Sequence, residues 1–144
     1  MKKQFPYLVV ILVALTMGVL DYCGSNSSTN TEPPPTVKED PSFASDIQAI
    51  FSNSCISSGC HNAGASAGLV LLQGQAYASL VNVASTQEPG KTRVIPTDAA
   101  NSYIVIKLEG RRTNGGRMPL GANALHANTI QNIKNWINRG AKNN

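Results

Sequence analysis

Cys55-Ile56-Ser57-Ser58-Gly59-Cys60-His61 is the stretch on which the reading of this chain turns. Two thiols and an imidazole fall within seven residues in the order C-x4-C-H, a spaced-out version of the C-x-x-C-H signature of c-type haem attachment. That chemistry asks two thiols to reach the two vinyl groups on one edge of a porphyrin, and one imidazole to reach the iron from one face. A histidine directly after the second cysteine fixes its place relative to the second thioether. The interval between the cysteines is the softer requirement, because a loop holding Ser57, Ser58 and Gly59 can bulge. The Cys60-His61 pair, which geometry cannot relax, is intact.

Other chemistries fit the same residues less closely. Cys55 and Cys60 can form a small disulfide, since exported cysteines usually oxidise. His61 would then be an incidental surface residue. A zinc site would have only two cysteines and two histidines to draw on in the folded part, and His126 lies far away in sequence. A catalytic cysteine lacks a recognisable partner histidine and orienting acid.

A second feature lies downstream. Thr113-Asn114-Gly115-Gly116-Arg117-Met118-Pro119-Leu120-Gly121 is a glycine-rich loop presenting one methionine. A thioether is a soft ligand for haem iron, and Pro119 stiffens the chain beside it. A lone methionine is ordinarily core filler, but a setting between Arg117 and Pro119 in a Gly-rich loop is unlike a core position. His126 is the competing imidazole; its plain reading is an exposed loop residue near a helix start.

Working outward, the N-terminus reads as an export signal. Lys2 and Lys3 precede an apolar run from Phe5 to Leu20, which is short for a membrane span and ends in Asp21. Residues 1–22 are therefore expected to be a signal peptide. Cys23, directly after the run and before a Ser/Asn tract, resembles a bacterial lipoprotein junction, with Leu20 in keeping and Tyr22 departing from the small residue usual there. An uncleaved anchor, or cleavage nearby without a lipid, are the alternatives. All three place the domain outside the cytoplasm, on the periplasmic or cell-envelope side, and lipidation at Cys23 would hold it to a membrane.

Residues 23–40 are Ser/Asn/Pro-rich with Val37 as the one sizeable apolar side chain, so they are expected to form a disordered tether. Such a coil spans on the order of 20–25 Å. The folded domain is placed at 41–144. Removing the segment ahead of Cys23 takes away Lys2, Lys3 and Asp21, leaving ten basic and seven acidic side chains, a net +3. This mild, scattered charge excludes a nucleic-acid footprint, and no basic stripe is interleaved with aromatics.

Within the domain, Phe43, Ile47, Ile50 and Phe51 share one helical face, predicting a helix over 42–53 behind Ser42 as N-cap. A short helix is expected over 75–81. A third should start after Asp98 and run to Leu108, and a last should cover 128–139, with Ile130, Ile133, Trp136 and Ile137 apolar and Gly140 as its stop. The expected class is all-α: about four short helices with long loops around one haem. The apolar inventory is thin, with 21 Leu, Ile and Val residues and five aromatics from 41 onward. A large apolar cofactor in the middle would relieve that shortage, although an ordinary small helical domain with tightly packed loops fits the composition too.

From Asp46 to Asn143 the chain resembles single-domain c-type cytochromes of the planctomycete-type group, found in exported bacterial proteins. The resemblance rests on Ile50-Phe51-x3-Cys55-x4-Cys60-His61, Gly68-Leu69, Tyr77 with Leu80-Val81, and Val94-Ile95-Pro96 with Asp98 and Ser102. It extends through Arg117-Met118-Pro119 and Ile133-x2-Trp136-Ile137-x2-Gly140-Ala141. It departs in the four-residue cysteine interval and in Thr97, where the group often has glycine. The resemblance implies one covalent haem c attached at Cys55 and Cys60, with His61 as proximal and Met118 as distal iron ligand. It also implies that the first and last helices pack together beside the haem.

The leading expectation is an electron carrier that exchanges electrons with redox partner proteins. Serving a larger oxidoreductase as its electron-entry module is a variant of that role. With no second haem motif and no acid–base constellation, an independent enzyme is not expected. The alternative is a non-redox exported lipoprotein module, binding or structural, with a Cys55–Cys60 disulfide.

Overall fold

The computed structural model describes residues 33–111 and 114–144. Residues 1–22, where a signal peptide is expected, Cys23 and Thr113 lie outside the described residues.

Ser42 ends the extended leader and starts the first helical segment. Its Oγ accepts the Ser45 N–H at 3.3 Å, while Asp46 Oδ2 accepts the Ser42 N–H at 2.9 Å, a reciprocal cap that satisfies two donors at once. The first turn is wide. The N–H of Ile47 donates to the Ser42 carbonyl at 3.2 Å, making Phe43–Ile47 a π turn that runs directly into α1, Gln48–Ser54. The predicted face holds: Phe43, Ile47 and Phe51 are buried.

Helix α2 is Ala76–Leu80, buried at Ala76 and Leu80. Helix α3 is Tyr103–Leu108, starting later than the sequence predicts. The reason is local competition at Asp98. Its carboxylate accepts the Asn101 N–H at 3.1 Å, and the Ser102 hydroxyl donates to the Asp98 carbonyl at 2.7 Å, so residues 98–101 close as a turn. Helix α4, Ala127–Asn138, buries Asn132, Ile133, Trp136 and Ile137. It stops at Gly140, whose φ of 97° suits glycine.

Helix α4 packs on the π turn and on α3, so the first and last helical segments meet. The Trp136 ring lies 5.2 Å from that of Phe43, and Phe43 stands edge-on to Tyr77 at the same distance. The polar ends of this aromatic cluster are satisfied. Trp136 Nε1 donates to the Lys142 carbonyl and Tyr77 Oη to the Ala141 carbonyl, each at 2.9 Å. Isolated bridges join Val81 to Val94 and Ala84 to Thr92, and no strand longer than these occurs among the described residues. The domain is all-α.

A ladder of asparagines on α4 holds the leader. Asn132 accepts the Lys38 N–H at 2.7 Å and donates to the Thr36 carbonyl at 2.9 Å. Asn128 donates to the Pro35 carbonyl and Asn135 to the Lys38 carbonyl. Residues 35–38, which composition groups with the tether, are thus bonded through their backbone to partners more than ninety residues away.

Candidate cofactor site

Helix α1 ends at Ser54, and the chain turns at once into the cysteine loop. The N–H of His61 donates to the Cys55 carbonyl at 3.0 Å, closing residues 55–61 on themselves, and Cys60 N–H donates to the Ser57 carbonyl within that loop. Gly59 takes a φ of 77°, which permits the bulge. Both cysteines are free thiols, Cys55 half-buried and Cys60 exposed. Burial, with a smaller contribution from neighbouring Cys60, pushes the Cys55 thiol up to about 11.

His61 is half-buried and oriented. Its Nδ1–H donates to the backbone carbonyls of Ser66 at 3.2 Å and Leu69 at 3.3 Å. Its own carbonyl accepts the Leu71 N–H at 2.7 Å. A proton fixed on Nδ1 leaves Nε2 with its lone pair free, the arrangement a metal-ligating histidine needs.

Met118 is brought to the same place from the far side of the sequence. Its N–H donates to the Lys107 carbonyl at 3.0 Å, and Lys107 Nζ donates to the Asn114 carbonyl at 2.9 Å. Asn114 N–H in turn donates to Glu88 Oε2 at 3.0 Å. Arg117 braces the next step: its stem lies where a side chain on Gly110 would stand, about 3.0 Å from a Cβ there, and its Nη2 donates to the Ala122 carbonyl.

His61, Met118 and Cys55 all line one cavity. Its empty space is about 680 Å³ with the solvent at its open mouth included. The walls are mostly apolar: Ile50 and Phe51 of α1, Leu69, Leu71, Leu80, Ile104 and Leu108 of α3, and Ile133 of α4. Cys60 is not among the lining residues. Neither is His126, which is exposed and whose Nδ1 accepts the Asn128 N–H at 3.1 Å as the N-cap of α4. Among the described residues, no three His, Cys, Asp or Glu side chains gather to hold a metal ion by themselves.

Two cations line this cavity that sequence reasoning passes over: Arg93, 7% exposed, and Lys107, 5% exposed. None of the ion pairs formed among the described residues includes either. Burial lowers the affinity of both for a proton, and for Lys107 the nearby Glu88 charge partly opposes this. Lys107 Nζ also lies 6.0 Å over the Tyr103 ring. The signal for Lys107 is present in the sequence, a single cation inside the apolar run Tyr103–Leu108. Arg93 carries no such mark.

No family model matches the chain, and no curated protein matches it. Among solved structures the chain is similar to hydrazine synthase of Kuenenia stuttgartiensis, at 26% identity and a TM-score of 0.43 over 74% of this chain. The chain spans 16% of the length of that protein's chain.

Proposed function

We propose that this protein is an exported electron carrier holding one covalent haem c, with thioether attachment at Cys55 and Cys60 and axial ligation by His61 and Met118. The observation that carries this reading is the convergence of His61 and Met118, from distant parts of the sequence, on one apolar cavity whose wall includes Cys55. The donor set suits the group: an imidazole with Nε2 free, a thioether, and two free thiols in the attachment motif. When bound, the haem supplies one-electron chemistry at its iron.

The chain's own part is to hold and tune. His61 would supply the imidazole ligand, kept in one tautomer by the Ser66 and Leu69 carbonyls. Met118 offers a soft ligand, which favours the reduced state relative to a second imidazole. The aliphatic part of the wall would lower the local dielectric around the group. On this reading Cys23 carries the lipid anchor to a membrane on the periplasmic or cell-envelope side, and the partners are redox proteins.

The deciding experiment is to produce the protein with haem-maturation machinery and extract it with acid acetone. Haem should remain with the polypeptide, and the intact mass should rise by one haem. Haem that extracts freely, or an unchanged mass, overturns the reading.

A further inference from the structure

We propose that Arg93 is the positioning residue of the His61 imidazole: it gathers the Ala67 and Gly68 carbonyls and so holds the 65–69 turn in the form that aims the Ser66 and Leu69 carbonyls at Nδ1.

The turn is strained. Ala65 and Ala67 have φ of 50° and 53°, and Gly68 has φ of 64°. Alanine avoids this left-handed region, and such residues persist only where the surroundings over-determine them. Within the turn, Gly68 N–H donates to the Ala65 carbonyl at 2.7 Å and Leu69 N–H to the Ser66 carbonyl at 3.2 Å. Four successive carbonyls then meet three side chains. Those of Ser66 and Leu69 accept from His61 Nδ1. Those of Gly68 and Ala67 accept from Arg93 Nη2 at 3.0 and 3.3 Å, and Thr86 Oγ1 adds a second donor to Ala67.

Arg93 is itself fixed from behind. Its N–H donates to the Val83 carbonyl at 2.8 Å, its carbonyl accepts the Ile104 N–H at 3.0 Å, and Nη1 donates to the Ser79 carbonyl at 2.8 Å. The guanidinium therefore reaches the turn from a rigid base, with a planar fork that spans several acceptors at once where an ammonium cannot. Without that fork the two alanines can relax out of the left-handed region. The Ser66 and Leu69 carbonyls then leave Nδ1, and the imidazole is free to move its proton to Nε2, which leaves no lone pair on that nitrogen for iron. Only the consequence for iron rests on the haem reading; the control of the tautomer does not.

The test uses the full chain without cofactor, labelled with nitrogen-15, at a pH where His61 is neutral. Long-range proton–nitrogen spectra report which ring nitrogen carries the proton. The wild-type protein should be predominantly Nδ1–H at His61, and Arg93→Met should shift it toward a mixture rich in Nε2–H. Arg93→Lys should fall between. The His126 signals, in the same spectra, should not move. A wild-type His61 that is mainly Nε2–H overturns the proposal, as does an Arg93→Met protein with the wild-type tautomer. If Arg93→Met loses the Trp136 indole signal of the folded core, Arg93→Lys decides: a tautomer ratio identical to wild type overturns the proposal, and an intermediate ratio supports it. In protein that takes up haem, the iron–histidine stretching frequency should fall in the Met variant. Failure to take up haem counts against the proposed function and leaves the tautomer result standing.

Discussion

The backbone N–H of Met118 donates to the carbonyl of Lys107 at 3.0 Å, fastening the methionine loop to the last turn of α3 at the residue that faces the cavity. The backbone at Met118 is therefore held by α3, on the same side of the cavity as Lys107.

Met118→Ala in the haem-loaded protein should remove the weak long-wavelength sulfur-to-iron charge-transfer band and lower the reduction potential, leaving the haem covalently attached. His126→Ala should leave both unchanged. It should instead cost about 0.5–1 kcal/mol in denaturant unfolding, because the Asn128 N–H loses its cap. If His126→Ala removes the sixth ligand and Met118→Ala is silent, the axial assignment is wrong.

Lys107 binds its proton less tightly in the fold than in the unfolded chain, where the ordinary value is 10.5. The unfolded state then holds more protons over the alkaline range leading up to that value, so this group makes stability rise with pH there. In a cofactor-free Cys55→Ser/Cys60→Ser background, urea titrations should show that rise, and Lys107→Met should flatten it. A Lys107→Met profile of unchanged slope would assign the rise to another group.

Cys55 gives the opposite slope. With its thiol raised from 9.0 to about 11, the folded state favours the neutral form. The contribution is fully present below pH 9 and is lost as pH rises through 11, amounting to roughly 2–3 kcal/mol at about 1.4 kcal/mol per unit. Reduced, cofactor-free protein should weaken across that window, and Cys55→Ser should abolish the loss. At pH 8 iodoacetamide should label exposed Cys60 well before half-buried Cys55, as read by peptide mass. Equal labelling rates would contradict the burial of Cys55.

Asn132→Ala removes both the acceptor for the Lys38 N–H and the donor to the Thr36 carbonyl. The domain should lose about 1–2 kcal/mol. Hydrogen exchange at Lys38 should accelerate well beyond that at Ile133, which stays in the helical core. Unchanged protection at Lys38 would show that the ladder contributes nothing to holding the leader.

The all-α class was legible because periodicity reports burial directly: Phe43, Ile47 and Phe51, and Ile133, Trp136 and Ile137, are the residues that the two faces bury. The start of α3 was not, because Asp98 reads equally well as a helix cap or as the closing residue of a turn, and only the bond from Ser102 to its carbonyl decides. At the candidate site, His61, Cys55 and Met118 announce themselves by residue type and local company. Arg93 does not, since what it does depends on the backbone shape of a turn twenty-five residues earlier, and carbonyl direction leaves no trace in side-chain identity. The asparagine ladder is hidden for a related reason. Polar residues on a helix read as a solvated face unless the segment that pairs with them is already known.

That ladder also determines how the domain bears mechanical load. Its four bonds, from Asn128, Asn132 and Asn135 to the backbone of residues 35–38, lie side by side along α4. A pull directed along α4 would load them together in shear, ahead of the π turn, the start of α1 and the cysteine loop beyond it. The helix that receives the force is the one carrying Trp136 and Ile137, at the centre of the aromatic cluster. The four bonds thus stand as strain relief between the leader and the loop around His61.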